Sequence, residues 1–103
     1  MNSVPTKIWI VRRGNGKAEV HPSPVVLRPD ETFGIRNLTQ DDADVTFPSG
    51  TIDPQKTCVL AQQSLPYHVV PKAGYQFFEY DVTLPKVRQQ AEGGSKPGVI
   101  IDG

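Results

Sequence analysis

Residues 77–84 alternate strictly between two kinds of side chain. Phe78, Tyr80, Val82 and Leu84 share one parity, and Phe77, Glu79, Asp81 and Thr83 share the other. In an extended strand successive side chains point to opposite faces, so a period of two lays the first set on a core and turns the second away. A helix would scatter the same four large residues around its circumference. Thr32 to Leu38 alternates too, with Phe33 and Ile35 opposed to Thr32, Gly34 and Arg36.

Other apolar runs are short and bounded by turn residues. Ile8-Trp9-Ile10-Val11 is β-branched and aromatic, the profile of a pleated, half-buried surface. Val25-Val26-Leu27, Val45-Thr46-Phe47, Thr57 to Leu60, Tyr67 to Val70 and Val99-Ile100-Ile101 follow. Ten prolines and nine glycines lie between these runs and act as punctuation. Only Val87 to Glu92 has a helix-tolerant composition, and it is too short to matter. Many short strands separated by turns predict an all-β fold. The expected architecture is a Greek-key β-sandwich of two mainly antiparallel sheets. Its core is predicted to include Ile8, Ile10, Val26, Phe33, Ile35, Phe47, Phe78, Tyr80, Val82 and Ile100.

Gly14-Asn15-Gly16-Lys17 reads as a hairpin turn, because Asn-Gly supplies the positive φ angles of a type I′ turn. A turn centred on Asn15-Gly16 puts Arg12 opposite Glu19 and Val11 opposite Val20. Centring on Gly14-Asn15 would set Arg12 against Lys17, a like-charge pair. The first register is therefore expected. A phosphate-binding loop needs a longer glycine frame and a following helix, and a strand follows here.

A chain of 103 residues fits one domain, 1–103, with core enough to fold without staples. Eleven basic and eleven acidic side chains cancel, which leaves no electrostatic footprint for nucleic acid. No apolar stretch approaches the roughly 20 residues of a spanning helix, so no membrane association is expected. Cys58 is the only cysteine and makes no internal disulfide. The segment after Met1 lacks the basic and apolar regions of a signal peptide, and Met1 as a native start implies a cytoplasmic protein.

The order of these pieces resembles the cupredoxin fold of the blue-copper proteins over nearly the whole chain. It comprises a first strand at Ile8–Val11, Pro24-Val25-Val26-Leu27 before a turn at Pro29-Asp30, and Thr32-Phe33-Gly34-Ile35-Arg36-Asn37 ending in asparagine. Val45-Thr46-Phe47-Pro48, Gly74-Tyr75, Phe78-Glu79-Tyr80-Asp81-Val82 and a last apolar strand complete it. The resemblance implies a cupredoxin-like sandwich, but it does not bring the copper site. The family's first histidine would fall near Ala43-Asp44 and its cysteine at Val82. Its second histidine and methionine belong to the loop 85–97, which holds neither. A blue-copper centre needs thiolate and imidazole together. No metal and no cofactor are therefore expected.

Remaining chemistry is sparse. His21, His68 and Cys58 are soft ligands, and a metal site would require them to converge. Ser49, Ser64 and Cys58 lack a base and an orienting group at a recognisable spacing, so no enzymatic activity is expected. Asp41-Asp42-Ala43-Asp44 lacks the glycine and terminal glutamate of a calcium loop, and a solvated acidic loop accounts for it. Trp9 and Tyr75 would suit a stacking platform for sugar or peptide, although packing at the edge of the core is the simpler role for Trp9.

The expected function is a metal-free, non-enzymatic interaction module that binds a protein partner or itself. The alternative is a copper or electron-transfer protein with an unorthodox ligand set, and a small-molecule enzyme trails both. The resemblance would set the acidic loop of Asp41, Asp42 and Asp44 beside the loop carrying Lys86, Arg88, Gln89, Gln90 and Lys96. Opposite charge and a rigid scaffold make that end the expected binding site.

Overall fold

Twelve short strands and one 3-10 turn make up the fold, in a computed structural model that describes residues 4–12, 14, 16–87, 89–90 and 96–102. The strands are β1 (Thr6–Arg12), β2 (Ala18–His21), β3 (Val25–Leu27), β4 (Thr32–Asn37), β5 (Ala43–Thr46) and β6 (Ile52–Asp53). They continue as β7 (Lys56–Val59), β8 (Ser64–Val69), β9 (Gln76–Glu79), β10 (Asp81–Leu84), β11 (Gln89–Gln90) and β12 (Gly98–Ile101). Among the described residues no helix is long and apolar enough to cross a membrane.

The strands form three hydrogen-bonded sheets, not the two expected. The first runs β2-β1-β4-β8-β6, the second β11-β10-β5-β7 and the third β3-β12-β9. Pairing is antiparallel except for β1 with β4 and β3 with β12, which are parallel. The alternating segment 77–84 is what separates the second sheet from the third. Its first half, β9, pairs with β12, and its second half, β10, pairs with β5 and β11. Tyr80 joins the halves and gives its N–H to Pro97 O at 3.0 Å. Because the period of two survives through Tyr80, the second and third sheets continue into one layer facing the first. The shortest molecular dimension, 20 Å between Cα extremes, suits two layers packed about 10 Å apart.

One core lies between the layers, and most of the predicted residues are in it. Ile8, Ile10, Phe33 and Ile35 are fully buried, and so are Phe47, Tyr80 and Val82 to within 2%. Phe47 stacks on Tyr80 at 4.7 Å and meets Tyr67 edge-on at 5.7 Å, and Tyr67 stacks on Phe33. Val26 and Ile100 are the exceptions. Val26 is 55% exposed and Ile100 only half-buried, while Val25, Leu27, Val99 and Ile101 point inward. Both runs are apolar at every position, so nothing in the sequence marks which parity faces the core.

The hairpin register also differs from the expected one. Ile10 faces Val20, Val11 faces Glu19 and Arg12 faces Ala18. Residues directly opposite share a face, so this pairing keeps Ile8, Ile10, Ala18 and Val20 together on the core side. Pairing Val11 with Val20 would have carried His21 inward beside Ile10. Gly16 has the positive φ (83°) that the turn requires, and Asn15 lies outside the described residues.

Candidate functional site

Asn37, the last residue of β4, is fully buried and organises the acidic loop. Its Nδ2 donates to Asp41 O (2.8 Å) and Val59 O (3.0 Å). Its Oδ1 accepts from Thr39 N (2.9 Å) and from the Thr39 hydroxyl (2.7 Å). A buried amide with every polar atom engaged fixes a loop more firmly than side chains in water do. Thus the loop is scaffolded from below.

Only part of the acidic segment is loop, because Ala43 and Asp44 already belong to β5, and its aspartates have separate tasks. Asp41 accepts from Arg12 Nη2 at 2.7 Å, and the same guanidinium donates through Nη1 to Gly16 O in the hairpin turn. Asp42 Oδ1 accepts from Ala61 N (2.9 Å). Asp44 stands in β5 between Cys58 of β7 and Thr83 of β10. Across β10, Thr83 is paired with Gln90 and Leu84 with Gln89, so the acidic strand and β11 flank one strand. Lys86 is exposed, and Lys96 pairs with Asp81 at 3.2 Å. Arg88 lies outside the described residues. The ion pairs described here thus run from Asp41 to the hairpin and from Lys96 to β10. As exposed pairs each contributes about 0–1 kcal/mol.

The outer surface of the β9–β12–β3 sheet is of another kind. Val26, Ile100 and Phe77 form one cross-strand row, because Ile100 is in register with both of the others. All three face outward, Phe77 at 61% exposure. The Phe77 ring lies over Gly98, with Cε1 only 2.7 Å from where a Cβ would stand, and Pro24 closes the other side. Tyr75, 78% exposed, precedes this strand. Along 75–84 the outward side chains therefore change from Tyr75 and Phe77 to Glu79, Asp81 and Thr83. Apolar and polar halves meet on one face. Sequence reasoning placed Val26 and Ile100 in the core and overlooked this row, although the parity of Phe77 already turned an aromatic ring outward.

The remaining candidates lie apart. Trp9 faces outward from the first sheet between His21 and Arg36, and Tyr75 belongs to the opposite layer, so the two make no common platform. His68 accepts or donates through Nδ1 to the Thr32 hydroxyl (3.0 Å) and through Nε2 to Asp30 Oδ1 (2.7 Å). This chain holds Asp30 at a φ of 66°, a left-handed conformation that aspartate tolerates better than most residues. His68 stands in β8 with Tyr67 and Val69 turned inward on either side of it, so it faces away from the core. The shallow depression nearby, lined by Val4, Thr6, Gly34, Ser64, Leu65 and Pro66, holds no titratable side chain.

Cys58 is exposed in β7. Partial burial of the thiol raises its pKa, and hydrogen bonding to Asp44, with the charges of Asp44 and Asp42, raises it further. That environment suppresses the reactive thiolate. Among the described residues no three His, Cys, Asp or Glu side chains gather as a metal site. Val82 and Ala43 are buried apolar residues in adjacent strands, and Asp44 follows in β5. Compared with models of known protein families and with curated proteins, the sequence matches none.

Proposed function

We propose that this chain is a cupredoxin-like Greek-key domain without the family's copper ligands, acting as a non-enzymatic docking module for a protein partner. The observation that carries this reading is the outward row of Val26, Ile100 and Phe77, extended by Tyr75 and bordered by Glu79 and Asp81. Contiguous exposed apolar surface with a polar rim is how protein interaction sites differ from ordinary surface. Aromatic anchors on a rigid sheet lose little conformational freedom on binding, and they dominate measured interface energetics. The passage of successive strands between layers, from β3 to β4, β5, β6, β7, β8 and β9, supports the Greek-key assignment. Asp44, Gln90 and Lys96 belong to the layer that carries the row, so the mixed-charge end would border the same partner.

A photo-crosslinking amino acid placed at position 77 tests the site, with position 41 as comparison. In native lysate the module reading expects one discrete adduct from position 77 that Val26→Asp abolishes. Absence of an adduct, or one equally strong from position 41, would overturn the assignment of the apolar row. Copper(II) added to the pure protein is expected to produce no intense copper–thiolate absorption.

A further inference from the structure

We propose that the partner seated on this apolar row is a second copy of this chain, packed face to face about a two-fold axis that lies across the strands through Val26, Ile100 and Phe77. The inference rests on the docking reading above and adds the identity of the partner.

A two-fold interface is isologous, so the surface must complement itself. The register makes the test explicit. Ile100 is level with Val26 and Phe77, Gly98 is level with Glu79, and Pro24 packs beside Gly98. Arg28, Asp102 and Tyr75 stand at the other end, where Asp102 N bonds Leu27 O. An axis across the strands sets each residue of the row against its own copy, which gives aliphatic and aromatic contact throughout. It also exchanges the two ends. Tyr75 then meets Glu79 of the other copy, a phenol donor against a carboxylate acceptor, and Asp102 meets Gly98, where no side chain opposes it. An axis along the strands would instead bring the two Asp102 carboxylates together. The first arrangement opposes no like charges, whereas the second does.

Area and net charge agree with a modest, reversible dimer. Aromatic side chains have roughly 150–250 Å² to bury, so Tyr75 and Phe77, at 78% and 61% exposure, supply about 300 Å² between them. Val26, Ile100, Pro24 and the rim of Glu79 and Arg28 bring the face toward the low end of specific interfaces, about 600 Å² per partner. Eleven positive and eleven negative side chains give the copies no net charge to repel one another. Facing sheets that pack about 10 Å apart leave room for each side chain of the row to meet its own copy.

Analytical ultracentrifugation of the full chain decides the matter. Over roughly 10 µM to 1 mM, the range of a weak interface of this size, the wild type is expected to pass from monomer to dimer with little dependence on salt. Val26→Asp is expected to stay monomeric throughout, with its urea midpoint unchanged because the position is exposed. In a Cys58→Ser background treated with an added two-electron thiol oxidant, Phe77→Cys is expected to form a disulfide-linked dimer, and Lys56→Cys is not. A wild type that stays monomeric, or a dimer that survives Val26→Asp, overturns the proposal. A monomer that still crosslinks through position 77 to a different protein overturns the second copy while leaving the docking reading intact. A monomer without any adduct there overturns both.

Discussion

Tyr80 offers the sharpest test of how this core is built. Its ring is 98% covered, stacked on Phe47 between the layers, and its hydroxyl is buried without a hydrogen-bond partner among the described residues. A polar group left unpaired in a core costs about 1–3 kcal/mol. Tyr80→Phe removes that group, keeps the ring and leaves a void smaller than a methyl group. The variant is expected to be more stable by about 1 kcal/mol, which for a domain of this size raises Tm by about 4–8 °C. Tyr67 supplies the contrast, because its hydroxyl bonds Thr57 Oγ1. Tyr67→Phe is expected to lose about 0.5–1.5 kcal/mol. Urea denaturation at constant m-value measures both. Burial pushes both phenol pKa values above the usual 10. Above that pH the unfolded chain releases protons that the native one keeps, so stability is whole below pH 10 and falls as pH rises beyond it. The limiting slope is about 1.4 kcal/mol per pH unit for each tyrosine, and Tyr80→Phe is expected to flatten it. A Tyr80→Phe variant less stable than wild type by more than about 1 kcal/mol would refute the reasoning, since such a loss requires a hydrogen bond.

Asn37→Ala is expected to destabilise by about 2–4 kcal/mol, because it strands Val59 O and Thr39 N in the interior; calorimetry checks it, and a loss below 1 kcal/mol would mean the loop repacks. Phe78→Ala should cost about 3–5 kcal/mol and Phe77→Ala less than about 1 kcal/mol, since one faces the core and the other solvent; equal losses by denaturant titration would contradict the face assignment. Cys58 is expected to alkylate slowly for an exposed thiol at pH 8, and Asp44→Asn to speed the reaction several-fold by removing the carboxylate that holds its pKa up. Unchanged kinetics in that variant would separate the two side chains.

Sequence alone determined that the fold is all-β, and it determined the inward faces of β4 and of the 77–84 segment. There polar and apolar residues alternate, and backbone geometry converts that alternation directly into two faces. The sequence could not orient Val25-Val26-Leu27 or Val99-Ile100-Ile101, whose uniform composition carries no parity. Only their pairing with β9 decided that Val26 and Ile100 stand beside Phe77 in an exposed row. The hairpin register escaped for a related reason. Cross-strand charge favoured Arg12 opposite Glu19, but that register would turn His21 inward, whereas the observed one buries Ala18 and Val20 beside Ile10. Likewise the acidic and basic residues at the loop end were visible as charges, whereas their partners, Arg12 for Asp41 and Asp81 for Lys96, are separated by many residues in one case and by a loop in the other. Alternation along a strand is local and survives in sequence. Which strands lie side by side is set by the packing of the whole core, and the exposed row exists only because of it.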